Sequence, residues 1–194
     1  MNLDYYFPTP VWWVDTGINN ETILQYCYTT REKDPTGRSI SNLGGWQSND
    51  INPKDLPELY NYIMVNANQC LHDYGYDSST TLEMGNMWVN INEKNHSNKT
   101  HIHHGSFISG VYYVKCNENS PQIVFYKNFS EDFIVTSASR VDRYTPISGS
   151  ICKYPPKEGR LILFPSYLPH SVEENETEEE RISISFNIAI KYNV

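Results

Sequence analysis

The chain has 194 residues and a formal net charge of −8 at pH 7. That length suits one domain with a single core. The negative charge disfavours a nucleic-acid partner, because such surfaces need clustered Lys and Arg. No apolar run approaches the ~18 residues that span a bilayer, and the start lacks a secretory signal, so no membrane association is expected. The four cysteines form no C-x-x-C pair, which predicts reduced thiols and a cytoplasmic protein.

Residues 1–80 predict a helical cover. A short extended piece lies around Pro8 to Val14, and a first helix is expected from about Asn20 to Glu32. A second helix is expected from Pro53 to Gly75, because apolar side chains recur there at steps of three and four residues. The glycine-led segment 44–50 predicts a loop whose polar residues cap the second helix or reach into a site.

Residues 81–194 predict a set of short β-strands. From Leu82 onward apolar and polar side chains alternate, as in a half-buried strand. Many short strands at even spacing are typical of a sandwich or jelly roll and not of an α/β sheet. The sequence therefore predicts one mainly β domain, residues 1–194, with N-terminal helices packed on the sheet. The further predicted strands are Ser106 to Lys115, Gln122 to Tyr126, Phe133 to Ser137, Ile151 to Tyr154, Gly159 to Phe164 and Arg181 to Lys191.

Three histidines form a candidate metal site. His101 and His103 lie two residues apart just before a predicted strand, and side chains two apart on an extended chain point to the same side. His104 competes with His103 as the second ligand, and His170 supplies a third ligand from far along the chain. Imidazole suits iron, zinc, copper or nickel, so the ligand set leaves the metal open. For one histidine a surface position is the simpler interpretation, but three in this pattern favour a metal site.

A second candidate site residue, Arg181, opens the last predicted strand. Its guanidinium offers two parallel donors to a carboxylate, and the Ser183 hydroxyl lies on the same face. This pair predicts a carboxylate clamp beside the metal; the alternative is a salt bridge from Arg181 to the acidic run 173–180. Further candidates for cosubstrate or substrate contacts are Asn90, Asn92 and Tyr113. The alternative for each of them is the ordinary alternation of a strand.

These motifs resemble those of the 2-oxoglutarate and Fe(II)-dependent oxygenases, whose pattern is H-x-D, a distant histidine and then R-x-S. The segments Tyr6–Val11, Gly45–Ser48 and Ser109–Tyr113 look like those of short bacterial and phage members of that family. The resemblance covers nearly the whole chain. It implies a double-stranded β-helix, a jelly roll of the kind that cupins share.

The resemblance also implies a dioxygenase, and more specifically a hydroxylase. Fe(II) would be held by His101, His103 and His170, and the distal carboxylate of 2-oxoglutarate would bind Arg181 and Ser183. The reaction would use O2 and couple 2-oxoglutarate decarboxylation, which yields succinate, to substrate oxidation. The substrate, a small molecule or a peptidyl side chain, and the oligomeric state are not specified by the sequence.

One departure from the family pattern leaves other functions open. His103 stands where the family has Asp or Glu, which puts the oxygenase chemistry and the identity of the metal in question. A cupin-type metal-binding protein is one alternative, since cupins also use H-x-H, but Phe107 and Ile108 occupy the positions of the expected Glu ligand. A metal-free jelly-roll binding protein with a tyrosine contact surface is the other alternative.

Overall fold

The computed structural model describes residues 4, 5, 7–127, 145 and 149–191, and these contain two α-helices and eleven β-strands. The predicted strand Phe133 to Ser137 lies outside the described residues. No helix in the described part of the chain is both long and apolar enough to cross a membrane.

The two helices lie close to their predicted positions. Helix α1 spans Asn20–Lys33, and the side chain of Asn19 caps it by accepting a hydrogen bond from the Glu21 amide. Helix α2 spans Pro57–Asp73, so it begins four residues later than predicted. A short 3-10 turn, Pro53–Asp55, precedes it. The break falls at Leu56, which has φ −126° and ψ 62°, because a residue that precedes proline avoids the helical region.

The strands form two antiparallel sheets. The first sheet has six strands in the order β1-β9-β6-β11-β4-β3, and the second has five in the order β2-β5-β10-β7-β8. This is the expected mainly β double-stranded β-helix. The strands are β1 Trp12–Asp15, β2 Asn42–Leu43, β3 Trp46–Gln47, β4 Thr81–Asn92, β5 Ser97–His101, β6 Ile108–Lys115, β7 Ile123–Tyr126, β8 Ile151–Tyr154, β9 Arg160–Pro165, β10 His170–Val172 and β11 Arg181–Lys191.

The short strands β2, β3, β5 and β10 were not predicted. Strand β5 is partly exposed along its length and has the sequence SNKTH, so it has no apolar alternation to detect. Backbone pairing on both sides, with β2 and β10, holds it in place. The H-x-H motif therefore ends one strand of the second sheet and does not lead directly into a strand of the first.

The six-stranded sheet separates an apolar core from a polar pocket. On β11, Ile182, Ile184 and Phe186 are fully buried in the core that helices α1 and α2 cover. The alternate residues Arg181 and Ser183 face the other way, toward the second sheet, because successive side chains on a strand point to opposite faces. Central strand β11 thus supplies both the core and one wall of the pocket.

Candidate metal and cosubstrate site

The three predicted histidines meet at one point between the sheets. His101, His103 and His170 each offer a ring nitrogen, and these nitrogens all lie within 4.8 Å of one another. The ring centroids are 4.3 Å apart for His101 and His170, 5.0 Å for His101 and His103, and 5.1 Å for His103 and His170. Among the described residues this is the one cluster of His, Cys, Asp or Glu with metal-ligand spacing.

Backbone pairing brings these histidines together. His101 ends β5 and His170 begins β10, and the two are direct partners in the antiparallel ladder. His103 lies in the loop after β5, where its amide donates a hydrogen bond of 2.9 Å to the Ser166 carbonyl. Gly105 has φ +77°, a conformation that favours glycine and reverses the chain just after His103. His104, the competing ligand, is exposed and is not part of the cluster.

Two of the rings have a fixed orientation. The Nδ1 atom of His101 lies 2.7 Å from the Lys99 carbonyl, and that of His170 lies 2.9 Å from the Leu168 carbonyl. A carbonyl only accepts, so each Nδ1 carries the proton and donates it, which leaves Nε2 free as a ligand. His103 has no such bond among the described residues; its ring packs against Trp88, with centroids 5.8 Å apart.

The site keeps these imidazoles neutral. Burial lowers the pKa of His170 to about 3 and that of His103 to about 4, and it also lowers the pKa of His101. A metal ligand must be neutral imidazole, since protonation removes its lone pair. The three residues therefore fit a divalent cation such as Fe(II).

Arg181 is a buried cation without an anionic partner among the described residues. It is 2% exposed, its Nε atom has no hydrogen-bond partner, and its Nη1 donates to the Ser183 hydroxyl at 3.3 Å. The guanidinium carbon lies 4.9 Å from the centroid of the Tyr113 ring. Burying an unpaired charge is costly, so this geometry suits an anionic ligand.

The acidic run does not neutralise Arg181. Glu180 instead pairs with Arg31 and Lys115, each at 3.5 Å, and accepts a hydrogen bond from the Tyr28 hydroxyl. Glu178 pairs with Lys94 and Glu173 with Lys153. The salt-bridge alternative for Arg181 is therefore not what the structure contains.

Asn90 and Tyr113 both lie on the inner face of the first sheet. Asn90 is 8% exposed, lines the same pocket as the histidines and Arg181, and donates a hydrogen bond to the Ser185 hydroxyl. Asn92, at the end of β4, is buried but is not among the described lining residues of the pocket. Tyr113 is fully buried, and its hydroxyl has no hydrogen-bond partner among the described residues. Burial raises the pKa of Tyr113, and the adjacent Arg181 opposes that shift. The phenol is therefore a neutral donor beside the guanidinium.

The pocket also contains residues that the sequence patterns did not indicate. Trp88, Asn98, Ser41 and Ser185 join its lining. Ser185 lies two residues after Ser183 on β11, so the same alternation that indicated Arg181 and Ser183 could have indicated it. Ser41 and Asn98 come from irregular or short elements with no periodic signal, so only the tertiary structure reveals them.

A cluster of three histidines and a buried arginine, held inside a double-stranded β-helix, fits a class of proteins that bind a metal ion and an anionic ligand in one pocket. The sequence model of one protein family, described as "Putative 2OG-Fe(II) oxygenase", matches residues 86–187. The chain belongs to this family and is a 2-oxoglutarate and Fe(II)-dependent oxygenase. No curated protein sequence matches the chain significantly.

Solved structures show the same fold at low sequence identity. A prolyl-4-hydroxylase from Pseudomonas putida has 12% identity and a TM-score of 0.64, covering 95% of this chain and 94% of the other. A prolyl hydroxylase from Trichoplax adhaerens, in complex with a hypoxia-inducible-factor peptide, has 14% identity and a TM-score of 0.62, covering 92% and 83%. A viral collagen prolyl hydroxylase from Paramecium Bursaria Chlorella virus-1, in complex with 2-oxoglutarate, has 13% identity and a TM-score of 0.57, covering 92% and 94%.

Proposed function

We propose that this oxygenase is a hydroxylase of a small-molecule or peptidyl substrate, with Fe(II) on His101, His103 and His170. The distal carboxylate of 2-oxoglutarate binds Arg181. When bound, the iron and 2-oxoglutarate supply oxygen activation that is coupled to decarboxylation of the cosubstrate to succinate. The residues of this chain hold both groups in one pocket and limit the access of water to them.

The observation that carries this proposal is the unpaired charge of Arg181. The guanidinium is 2% exposed, and among the described residues its Nε has no partner and its one hydrogen bond is to a hydroxyl. A buried charge in that state needs an anion. A carboxylate accepts two parallel N–H bonds from such a fork. Ser183 and Tyr113 add hydroxyl donors on the same inner face, and Asn90 adds an amide along the pocket wall.

The family assignment supports an oxygenase over the two alternatives from sequence. A metal-free binding protein leaves the histidine cluster without a role, and a cupin-type protein leaves Arg181 without one. The prolyl hydroxylase of similar fold from Trichoplax adhaerens is in complex with a peptide fragment, which supports a peptidyl substrate as one candidate. The organic small-molecule class remains the other candidate.

Absorption spectroscopy tests the proposed function. Anaerobic addition of Fe(II) and 2-oxoglutarate together is expected to produce a weak visible metal-to-ligand charge-transfer band, because the 2-oxo acid chelates the iron through its keto and carboxylate oxygens. Succinate, which lacks the keto group, is the control and gives no band. Absence of the band, together with no calorimetric binding of 2-oxoglutarate to the metal-loaded protein, would refute the proposal.

A further inference from the structure

The pocket that holds the histidines contains no carboxylate among its described lining residues. Its ligands are three neutral imidazoles, and its one formal charge is that of Arg181. The remaining polar lining consists of amides and hydroxyls, namely Asn90, Asn98, Ser41, Ser183 and Ser185. Within the described part of the chain no lining side chain supplies negative charge, so the neutralising charge comes from bound molecules.

A charge count shows that 2-oxoglutarate alone does not neutralise this site. A divalent metal ion and Arg181 together bring three positive charges, and 2-oxoglutarate brings two negative ones. A carboxylate ligand in place of His103 would bring the net charge to zero, but His103 is neutral. One positive charge remains in a pocket whose walls include buried Phe164 and His170, where an uncompensated charge is costly.

We propose that His103 makes the metal centre an anion-binding site: a monovalent anion binds beside 2-oxoglutarate, as a free ion or as the carboxylate of the substrate. This inference rests on the proposed function, because it assumes the metal and the cosubstrate. The molecule that binds after the metal and 2-oxoglutarate therefore carries a negatively charged group.

Neutral donors are available to hold such an anion. The Asn90 amide uses one N–H to bond the Ser185 hydroxyl, and the Asn98 amide uses one to bond the Ser41 hydroxyl. Each amide nitrogen keeps a second hydrogen that has no partner among the described residues. Both side chains line the pocket that the histidines face, so they can donate to an anion without adding a competing charge.

The test is a spectroscopic titration that does not depend on turnover. Protein loaded with Co(II) and 2-oxoglutarate under anaerobic conditions is titrated with azide at constant ionic strength, and the visible d–d bands of Co(II) are followed. Wild-type protein is expected to show saturable binding. His103→Asp restores the missing negative charge and should weaken azide binding by about tenfold or more, the scale on which an adjacent charge shifts an ionic equilibrium.

The controls separate charge from shape. His103→Asn removes the ring but stays neutral, so it should bind azide more tightly than His103→Asp does. Displacement of azide by acetate would point to a substrate carboxylate, whereas displacement by chloride alone would point to a free halide; both support the anion site. Equal azide affinity in wild type and His103→Asp would overturn it, as would the absence of any saturable change in wild type.

Further outcomes distinguish this inference from the proposed function. If His103→Asp does not hold Co(II), His103→Glu carries the same comparison, and the wild-type titration alone still overturns the inference when azide has no effect. A protein that binds Co(II) and 2-oxoglutarate but no anion keeps the proposed function and loses the anion site. A protein that binds neither metal nor 2-oxoglutarate loses the proposed function itself.

Discussion

Arg181 is the first residue of the central strand β11, and neighbouring side chains on the inner face of the sheet hold it in position. Its guanidinium lies over Tyr113 and bonds Ser183, both on paired strands. Stacking on an aromatic face holds a cation without neutralising it. If Arg181 binds the cosubstrate as proposed, removing it should weaken cosubstrate binding without affecting the metal.

Arg181→Ala is expected to weaken 2-oxoglutarate binding by roughly 1.5–3 kcal/mol, the range for a hydrogen bond to a charged group. Calorimetry on metal-loaded protein measures that change, and metal content is measured alongside. Arg160→Ala is the matched control, because Arg160 pairs with Asp15 and stacks on Trp13 away from the pocket. A parallel loss of metal and cosubstrate in Arg181→Ala would show that Arg181 supports the fold instead.

The sequence predicted those site residues whose chemistry depends on short spacing. H-x-H and R-x-S place side chains on one face of an extended chain, and no knowledge of the partner strands is needed for that inference. The environment of each residue was not predictable in the same way. The sequence does not show which cation Glu180 pairs with. In the structure Glu180 pairs with Arg31 on helix α1 and not with Arg181.

At the scale of elements, a buried hydrogen-bond network joins the segments that carry the histidines. The Ser109 hydroxyl on β6 lies 2.8 Å from the Ser166 hydroxyl and donates to Asn187 on β11 at 2.7 Å. The Ser166 backbone accepts from the His103 amide and donates to the Phe107 carbonyl. Ser166 thus ties the His103 loop to the turn that leads into His170.

Ser109→Ala is expected to lower metal affinity by about tenfold, the lower end for outer residues that orient metal ligands. The reason is that the Ser166 hydroxyl loses its partner and the two ligand-bearing segments lose a fixed separation. Metal titration with a competing chelator measures the effect. Ser48→Ala is the control, since Ser48 is equally buried, accepts a hydrogen bond from the Val89 amide and is not among the described lining residues of the pocket. Equal effects of both variants would exclude a positioning role.

Strand β1 is attached to β9 by a charged contact as well as by its ladder. Asp15 accepts hydrogen bonds from Arg160 at 2.7 Å and from Lys157 at 2.7 Å. These two cations lower the pKa of Asp15 to about 2 from 3.8. The folded state therefore holds the proton less tightly than the unfolded state, and this contribution is present above pH 3.8 and is lost as the pH falls toward 2.

Asp15→Asn should remove that pH dependence at a cost below ~1 kcal/mol, because the pair is partly exposed to solvent. Urea unfolding at about pH 5 and at about pH 2.5 measures, at each pH, the difference in free energy of unfolding between wild type and variant. The stability gap between the proteins is expected to narrow at the lower pH. A gap that stays constant would show that the contact contributes no pH-linked stability.

Helices and strands were predicted correctly where burial of one face requires apolar residues at a regular spacing. Helix α1 and strand β11 have apolar residues at the spacing of their buried faces, and both were located within a residue or two. Strands β5 and β10 were missed because they are short and have no apolar alternation to detect. Helix α2 begins late because Pro57 acts on Leu56, a local effect that the apolar pattern conceals.

On the scale of the whole molecule, the acidic surface and the cationic site have opposite character. The chain carries a net charge of −8, whereas the described lining of the pocket carries one arginine and no carboxylate. Three glutamates of the acidic run, Glu173, Glu178 and Glu180, pair with Lys153, Lys94 and Arg31 and not with Arg181. The double-stranded β-helix thus separates the charge that surrounds the molecule from the charge that binds its ligands.

We propose that three histidines and one arginine hold iron and 2-oxoglutarate in a single pocket. A crystal structure of the protein, grown anaerobically with Fe(II) and 2-oxoglutarate, would show both groups and their ligands. We expect one metal ion bound by ring nitrogens of His101, His103 and His170, with the distal carboxylate of 2-oxoglutarate paired with Arg181. Metal bound elsewhere, a ligand set without His103, or a dicarboxylate that does not contact Arg181 would contradict it.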